Sequence, residues 1–475
     1  MNYAEQQQPG SWGSAARMNE LETLMWRSER HPQLSSTVML MLVLDTVPDW
    51  DRLRAAHEWA VRRIPRLRDR VLEPALPVGP PAWVRDENFS LAYHLRRAGL
   101  PAPGSMSELL QVAQAFALTP FDRTRPLWEG ILIEGFNGGR AAYVLKMHHS
   151  VTDGMAAVQL LELLQSRRRE HTPNKPVAAP YDTNAPADGL HLAVEEITEG
   201  ALHMPHAVTK LLVRGSRALT NPGSAAADTL RLVSSVRRTV ATRHKPSPLL
   251  RARTGRDWRY GVFDCPLADL KAAGKAAGGS VNDAYIAVLL GGLRRYHEHF
   301  DVQIGELPMA MLVSVRKSND PMGGNEFAGG LFAGPIGIAD PKERIAAIRD
   351  IVRVLRSEPA LESMSWAAPV LNRLPSGAGA AVVARAGSAA DMSASTVPGL
   401  TYTTYVAGAK VERIYPLAPL PGVAVMAGML SHDGTCCFGL NMDGDAVTDP
   451  DLLIEYMRKS VEEVCSLATQ SNALT

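Results

Sequence analysis

The sequence predicts a mixed α and β protein with two domains, and three observations support this prediction. The chain has 475 residues, more than one hydrophobic core usually serves, and its apolar content of 46% can fill two cores. Apolar runs of strand length alternate with longer segments in which apolar residues recur at helical spacing. A segment rich in Pro, Ala, Asn and Thr, from about residue 169 to 188, interrupts this pattern.

The first predicted domain spans residues 18–170 and follows a polar tail, residues 1–17, that we expect to be flexible. Its apolar runs are bounded by polar cap residues and by prolines, which mark where elements begin and end. The predicted elements are a helix over 19–26, a buried strand over 37–45, a helix from Asp49 to Pro65 and a helix over 107–117.

A predicted hairpin leads to the most specific motif of the chain. Strand-like runs over 130–134 and 141–146 flank the turn Asn137-Gly138-Gly139. The second run delivers the string His148-His149-Ser150-Val151-Thr152-Asp153-Gly154, and helical spacing follows it. Chance would produce this H-H-x-x-x-D-G string in roughly one of a thousand such chains. The motif is therefore predicted to lie on a strand-to-helix turn.

Residues 171–255 are predicted to be a partly helical interdomain crossover, and residues 256–470 a second domain. The second domain shows the same mixture of helical and strand-like patterns, including an Asp-Gly pair between two apolar runs, which is typical of a hairpin turn. Its predicted elements are a helix over 281–299, strands over 309–315, 423–430 and 435–441, and a last helix that Asp449-Pro450 caps.

The two histidines suggest general base chemistry. Adjacent residues of a strand point to opposite faces, so only one of them can address a substrate. A neutral imidazole can take the proton of a hydroxyl group, and the absence of a Gly-x-Ser-x-Gly elbow favours direct transfer over a protein nucleophile. Asp153 is expected to fix the loop, while Gly154 permits a close approach of the chain. A zinc site is not expected, because neighbouring histidines rarely chelate one ion and no third ligand is nearby.

Composition excludes several other classes of protein. The 50 Lys and Arg residues balance 49 Asp and Glu residues, which argues against a nucleic-acid-binding protein. The four cysteines have neither metal-ligand spacing nor the density of a disulfide framework, so we expect a reducing compartment. No apolar run spans a bilayer and no secretory signal is evident, so the expected location is the cytoplasm.

Further motifs carry a resemblance to a known family. The string Pro126-Leu127-Trp128 precedes the histidines, Val281-Asn282-Asp283 opens a predicted helix, and Val313-Ser314-Val315-Arg316 ends a predicted strand. In order and spacing the chain resembles the bacterial wax ester synthase/diacylglycerol acyltransferase family. This family lies within the CoA-dependent acyltransferase superfamily, which includes chloramphenicol acetyltransferase and condensation domains.

The resemblance implies an α+β fold of two chloramphenicol-acetyltransferase-like domains, with mixed sheets flanked by helices and an active-site tunnel between them. It implies His149 as the general base and Asp153 as a structural residue, with Arg316 as the candidate partner of Asp153. The remaining motif residues it assigns to the site are His148, Gly154, Asn282 and Asp283, and the tunnel candidates are Pro126, Leu127 and Trp128.

The resemblance also implies substrates. Acyl-CoA is the donor, diacylglycerol or a long-chain alcohol is the acceptor, and no tightly bound cofactor is needed. Two alternatives stay open: acylation of another hydroxyl acceptor, such as a polyketide-derived diol or a small alcohol, and a lipid-binding member without turnover. Thr396, which stands where the family usually has Asn, and Glu22, which stands for a usual Asp, keep the second alternative open.

Other features have a purely structural alternative. Trp128 can be a core residue and Asn282 a helix cap. A basic segment over 203–245, with interspersed Leu and Val, is suited to peripheral contact with a membrane or lipid-droplet surface. A packed pair of interdomain helices with a solvated basic face explains the same segment equally well.

Overall fold

The computed structural model describes residues 12–31, 33–75, 79–171, 188–192, 194, 245–314, 327–356, 368–369, 371–373 and 376–472. Within these residues the strands form two six-stranded sheets and one two-stranded hairpin. Arg316 and all but the last residue of the basic segment 203–245 lie outside the described residues.

The helices and strands have the following bounds. The helices are α1 (Glu20–Ser28), α2 (Trp50–Arg63), α3 (Leu91–His94), α4 (Met106–Leu118), α5 (Gly154–Leu164), α6 (Leu267–Ala276), α7 (Val281–His299), α8 (Pro341–Arg356), α9 (Ser376–Gly387) and α10 (Pro450–Asn472). The strands are β1 (Thr37–Leu44), β2 (Asp69–Leu72), β3 (Ala82–Arg85), β4 (Leu95–Gly99), β5 (Trp128–Phe136), β6 (Arg140–His148), β7 (Trp258–Pro266), β8 (Leu307–Ser314), β9 (Phe327–Gly334), β10 (Met392–Val397), β11 (Tyr405–Val406), β12 (Ala409–Leu417), β13 (Val425–His432) and β14 (Thr435–Asp443).

The first sheet combines both halves of the chain. Its order is β11-β12-β1-β6-β5-β4. The central strand β1 is antiparallel to β6, with Thr37 opposite His148, and antiparallel to β12, with Met39 opposite Leu417. Two strands from the region of the second predicted domain therefore complete the first sheet.

The second sheet is mixed. Its order is β7-β14-β13-β10-β8-β9. Strand β10 is parallel to both β8 and β13, whereas the other neighbours are antiparallel. Strand β10 ends at Val397, so the segment that follows it leaves the sheet at the same end as His432, the last residue of β13.

Apolar side chains cover both faces of these two sheets and form three cores. Helices α2 and α5 cover one face of the first sheet, and α6, α7, α8 and α10 cover one face of the second. A third core, which includes Val144 of β6, Leu109 of α4 and Met426 of β13, joins the remaining faces of the two sheets. The middle of β6 is thus packed between the two sheets.

Local capping chemistry explains why the predicted helices begin where they do. Asn19 and Glu22 form a reciprocal capping box on α1. The Asn19 N–H donates to the Glu22 carboxylate at 2.9 Å, and the Glu22 N–H donates to the Asn19 side-chain oxygen at 2.8 Å. Asp49 caps α2, and Asp449 accepts the Leu452 N–H of α10 at 3.0 Å. No helix in the described ranges is long and apolar enough to cross a membrane.

Both predicted hairpin turns are present, and the backbone conformation that they require explains their residues. Asn137, Gly138 and Gly139 have φ values of 37°, 78° and 107°, and Asp433 and Gly434 have 43° and 80°. Asn, Asp and Gly are the residues that tolerate this left-handed region. The sequence signals for these two turns therefore reflect a conformational requirement of the fold.

The prediction of a flexible tail was wrong for residues 12–17. The side chain of Trp12 is fully buried in the core beside the first sheet, and its indole N–H donates to the carbonyl of Ala156 at 3.2 Å. Arg17 forms an isolated bridge with Ala82 of β3. A buried tryptophan with a satisfied N–H ties this segment to helix α5.

Candidate active site

The two histidines occupy the junction at which β6 ends. His148 is the last residue of the strand, and its N–H donates to the carbonyl of Leu127 at 3.0 Å. His149 begins the turn, and its N–H donates to the carbonyl of Ser36 at 2.7 Å. The backbone of the pair is therefore held from both sides before α5 begins at Gly154.

The imidazole of His148 is fully enclosed by protein. Its Nδ1 accepts the N–H of Ser150 at 3.1 Å and lies 2.7 Å from the hydroxyl of the same residue, so Nε2 carries a proton. Nε2 lies 3.2 Å from Oε2 of Glu29. The rings of Trp26 and Phe121 meet it edge-on. Both ring nitrogens of His148 are thus occupied within the fold.

Glu29 connects the two histidines. Its Oε1 accepts the N–H of Ser36, whose carbonyl holds His149, and its Oε2 contacts both His148 and Arg123 at 3.2 Å. Burial raises the pKa of Glu29, but the electrostatic attraction and hydrogen bond of His148, with the Ser36 amide and Arg123, lower it to about 2.

Glu29 was not predicted from the sequence. Its contact with His148 joins residues 119 positions apart, which no local pattern encodes. One signal was present: Glu29 is the C-cap residue of α1, where a carboxylate faces the negative end of the helix dipole. An acid in that position indicates a partner elsewhere in the fold.

His149 differs from His148 in its exposure. The side chain of His148 is completely buried, whereas His149 is half-buried at the start of the turn. The change from strand to turn at His149 gives the two rings different surroundings. Of the pair, His149 is the residue that is partly open to solvent.

Asp153 caps the helix that follows the motif. Its carboxylate accepts the N–H of Ala156 at 2.8 Å, and only 6% of the residue is exposed. The anion at the N-terminus of α5 is therefore supplied by the protein itself. The predicted pairing with Arg316 stays a prediction, because Arg316 lies outside the described residues.

Gly154 brings the motif against the second half of the protein. A Cβ placed on Gly154 would lie 2.5 Å from Cγ2 of Val397, closer than carbon atoms approach in proteins. Val397 ends β10 and follows Thr396. The motif turn and the Thr396-Val397-Pro398-Gly399 segment are thus in direct contact.

A hydrogen bond joins two further motif residues. The Thr396 hydroxyl donates to Oδ1 of Asn282 at 2.8 Å, and Nδ2 of Asn282 lies 3.4 Å from Sδ of Met311. Asn282 is not the cap of α7, because Ser280 is, so that alternative was wrong. Asp283 completes the cap: its carboxylate accepts both the N–H and the hydroxyl of Ser280 at 2.7 Å.

The Pro126-Leu127-Trp128 element lies in the core. All three residues are buried. The indole N–H of Trp128 donates to the carbonyl of Leu67 at 2.9 Å, and its ring stacks on His57 and His94. These contacts are those of a buried core residue, so packing alone explains a tryptophan at position 128.

Two family models match this chain. Residues 18–285 match the family model of the wax ester synthase/diacylglycerol acyltransferase catalytic domain, and residues 323–464 match that of the WS/DGAT C-terminal domain. A protein of Mycobacterium tuberculosis strain H37Rv, provisionally named a diacylglycerol O-acyltransferase, is 37% identical over 96% of this chain and 94% of its own length.

Solved structures show the same fold. The wax ester synthase/diacylglycerol acyltransferase of Marinobacter aquaeolei VT8 superposes with a TM-score of 0.64 at 21% identity, over 95% of this chain and 100% of that chain. The starter condensation domain of rhizomide synthetase, solved in complex with C8-CoA, has a TM-score of 0.57 at 13% identity, over 96% and 95% of the two chains. The predicted fold class, two chloramphenicol-acetyltransferase-like domains of mixed sheets flanked by helices, is confirmed.

Proposed function

The chain belongs to the wax ester synthase/diacylglycerol acyltransferase family and is an acyltransferase, and we propose that it transfers a long-chain acyl group from acyl-CoA to diacylglycerol, to a long-chain alcohol, or to both. The condensation domain solved with C8-CoA supports a CoA thioester as the donor. Because a thioester arrives already activated, the reaction needs no tightly bound cofactor. The other hydroxyl acceptors named above use the same chemistry.

We assign the general base to His149, and one observation carries this assignment. His148 is fully buried with both ring nitrogens engaged by Ser150 and Glu29, whereas His149 is half-buried in the adjoining turn. A general base must come within hydrogen-bond reach of the proton that it removes. His148 therefore acts as a positioning residue, and Glu29 holds it in place.

The proposed reaction balances without a protein nucleophile. His149 takes the proton of the acceptor hydroxyl, whose oxygen attacks the thioester carbonyl carbon and forms a tetrahedral oxyanion. Collapse of this intermediate breaks the carbon–sulfur bond, and the proton on His149 passes to the departing CoA thiolate. The products are an ester and free CoA, with His149 neutral again.

The second half of the protein supplies the opposite wall of the proposed site. Val397 contacts the motif turn at Gly154, and the neighbouring Thr396 is hydrogen-bonded to Asn282. The hydroxyl of Thr396 can hold Asn282 in place through this hydrogen bond, as the amide of the family's usual Asn could. We therefore propose that the Thr396 substitution alters acceptor contacts without abolishing turnover.

An enzyme with a water-insoluble acceptor is expected to act at a lipid surface. We propose a cytoplasmic protein that makes peripheral contact with a membrane or lipid droplet. The basic segment predicted for this contact lies, except for Lys245, outside the described residues. The test is binding to vesicles of anionic or neutral lipid, with and without 0.5 M salt. Charge-driven contact should appear with anionic vesicles only and should be lost in salt, because salt screens such attraction beyond about 3–10 Å.

The function is tested by identifying the product. Purified protein receives palmitoyl-CoA with diacylglycerol, with hexadecanol, with a short-chain alcohol or with no acceptor, and thiol release is followed while lipids are identified by mass spectrometry. The proposal predicts acceptor-dependent release with a matching ester for the first or second acceptor. Turnover with the short alcohol alone would identify another acceptor class, and silence with all three would favour the lipid-binding alternative.

A further inference from the structure

The segment that follows strand β10 runs along helix α5, the helix that the histidine motif opens. At the start of α5, Gly154 meets Val397. Near the end of α5, Glu162 accepts a hydrogen bond from the hydroxyl of Tyr402. The two positions on α5 are about 12 Å apart at a rise of about 1.5 Å per residue, and five residues of extended chain reach at most about 18 Å. Residues 397–402 therefore span most of the length of α5.

Three side chains make the contact near the end of α5. The hydroxyl of Tyr402 donates to Oε1 of Glu162, and Nη2 of Arg167 lies 3.4 Å from the same oxygen. The guanidinium carbon of Arg167 lies 4.0 Å from the centre of the Tyr402 ring. We call Glu162, Arg167 and Tyr402 the clamp. Because an exposed ion pair contributes little by itself, the hydrogen bond and the stacking of Arg167 on the ring carry the contact.

The segment between the two contacts is fixed to the second half of the protein by its backbone. The Gly399 N–H donates to the hydroxyl of Ser431 at 3.2 Å, and a Cβ on Gly399 would overlap the carbonyl oxygen of Ser431. The Leu400 carbonyl accepts the N–H of Asp433 at 2.9 Å. The segment thus moves with the end of β13, and the clamp attaches it to α5 in the first half.

We propose that the clamp holds Val397 against the histidine turn and thereby sets the space for the acceptor alcohol. Its members are positioning residues, and the inference rests on the acyl transfer proposed above. With the clamp closed, Val397 stays against Gly154, and Thr396 keeps its place beside the turn. With the clamp broken, the segment loses this attachment to α5, so the acceptor hydroxyl is held less firmly beside His149.

Variants of the clamp test this role by enzyme kinetics. Tyr402→Phe removes the hydroxyl and keeps the ring under Arg167, and we expect it to raise KM for the acceptor several-fold and to leave KM for palmitoyl-CoA unchanged. Glu162→Gln keeps an oxygen that accepts from Tyr402, so it should retain most of the wild-type KM. Glu162→Ala should match Tyr402→Phe. Because both changes remove the same hydrogen bond, the double variant should be no worse than either single variant.

A control variant and a second measurement complete the test. Tyr456→Phe removes a hydroxyl that lies 3.1 Å from Nδ1 of His299, on the helix-covered face of the second sheet, and should leave both KM values unchanged. The second measurement is amide hydrogen exchange, followed by peptide mass spectrometry, in the wild type and in Tyr402→Phe. We expect faster exchange over 396–402 and also over 154–158, at the far end of α5.

Two outcomes would overturn the proposal. Unchanged exchange over 154–158 would show that the clamp does not hold Val397 against the histidine turn. An acceptor KM equal to that of the wild type in both Tyr402→Phe and Glu162→Ala would show that the clamp does not set the space for the acceptor. If the wild type is inactive with every acceptor, the proposed acyl transfer fails, and the exchange measurement still decides whether the clamp positions the turn.

Discussion

Gly154 and Val397 are in contact across the two halves of the protein: a Cβ on Gly154 would lie 2.5 Å from Cγ2 of Val397. Gly154 ends the histidine motif, and Val397 ends strand β10 of the second sheet. The contact explains why the motif closes with a glycine, since its φ is not in the left-handed region and the limit is space. It also places Thr396 next to the histidine turn.

We expect Gly154→Ala to lower the free energy of unfolding by about 1–3 kcal/mol, because the added methyl group overlaps Val397. Val397→Ala should remove the overlap, so the double variant should recover much of the loss. Urea unfolding of the four proteins gives the coupling energy. Gly377→Ala, at a helix position with open space around it, is the control and should not destabilise. Strict additivity of the two changes would contradict the contact.

Glu29 should make the stability of the protein depend on pH. Its folded-state pKa of about 2 lies below the ordinary 4.5, so its contribution is complete above about pH 4.5 and is lost as the pH falls toward 2. We expect Glu29→Gln to cost at most about 3 kcal/mol near neutral pH, and the gap to the wild type to shrink in acid.

Thermal unfolding of both proteins from about pH 7 to about pH 3 measures this gap. Glu58→Gln, which alters an exposed pair with Arg54, serves as the control and should change stability by less than about 1 kcal/mol. A gap that stays constant down to low pH would mean that the Glu29 carboxylate is not stabilised by His148 and Arg123.

Asp153 can be tested as a helix cap. Asp153→Ala removes the acceptor of the Ala156 N–H and should cost about 0.5–2 kcal/mol, whereas Asn is itself a favoured cap residue and should preserve most of that bond. Chemical denaturation of the two variants therefore should rank Asp153→Asn as the more stable. If both lose the same stability, the charge of Asp153 matters more than its cap.

Trp128→Phe separates packing from a role in the tunnel. The change removes the indole N–H that donates to the carbonyl of Leu67, and the lost hydrogen bond should reduce the free energy of unfolding by about 1 kcal/mol or more. If Trp128 is a core residue, KM for acyl-CoA and the preferred chain length should be unchanged. A shift in chain-length preference at unchanged stability would assign this side chain to the tunnel instead.

The sequence predicted those elements whose signals are local. The Asn137-Gly138-Gly139 turn and the Asp433-Gly434 turn each encode a backbone conformation within a few residues, and each is found in the structure. The motif string also placed His149 on a turn after a strand, as observed.

Relationships between distant segments could not be predicted in this way. An apolar run shows that β1 is buried but not that its neighbour is β12, more than 360 residues later. The same holds for the hydrogen bond between Thr396 and Asn282. Trp12 was missed because a single apolar residue in a polar tail has no periodicity to report.

The central claim is that His149 is the base, and its most direct test is thiol release from palmitoyl-CoA with the acceptor that the wild type uses. His149→Ala should lower kcat by about 10²–10⁴-fold, with a normal unfolding midpoint. His148→Ala should instead lower the unfolding midpoint, because Glu29 loses its buried partner. Wild-type turnover by a folded His149→Ala protein would contradict the account.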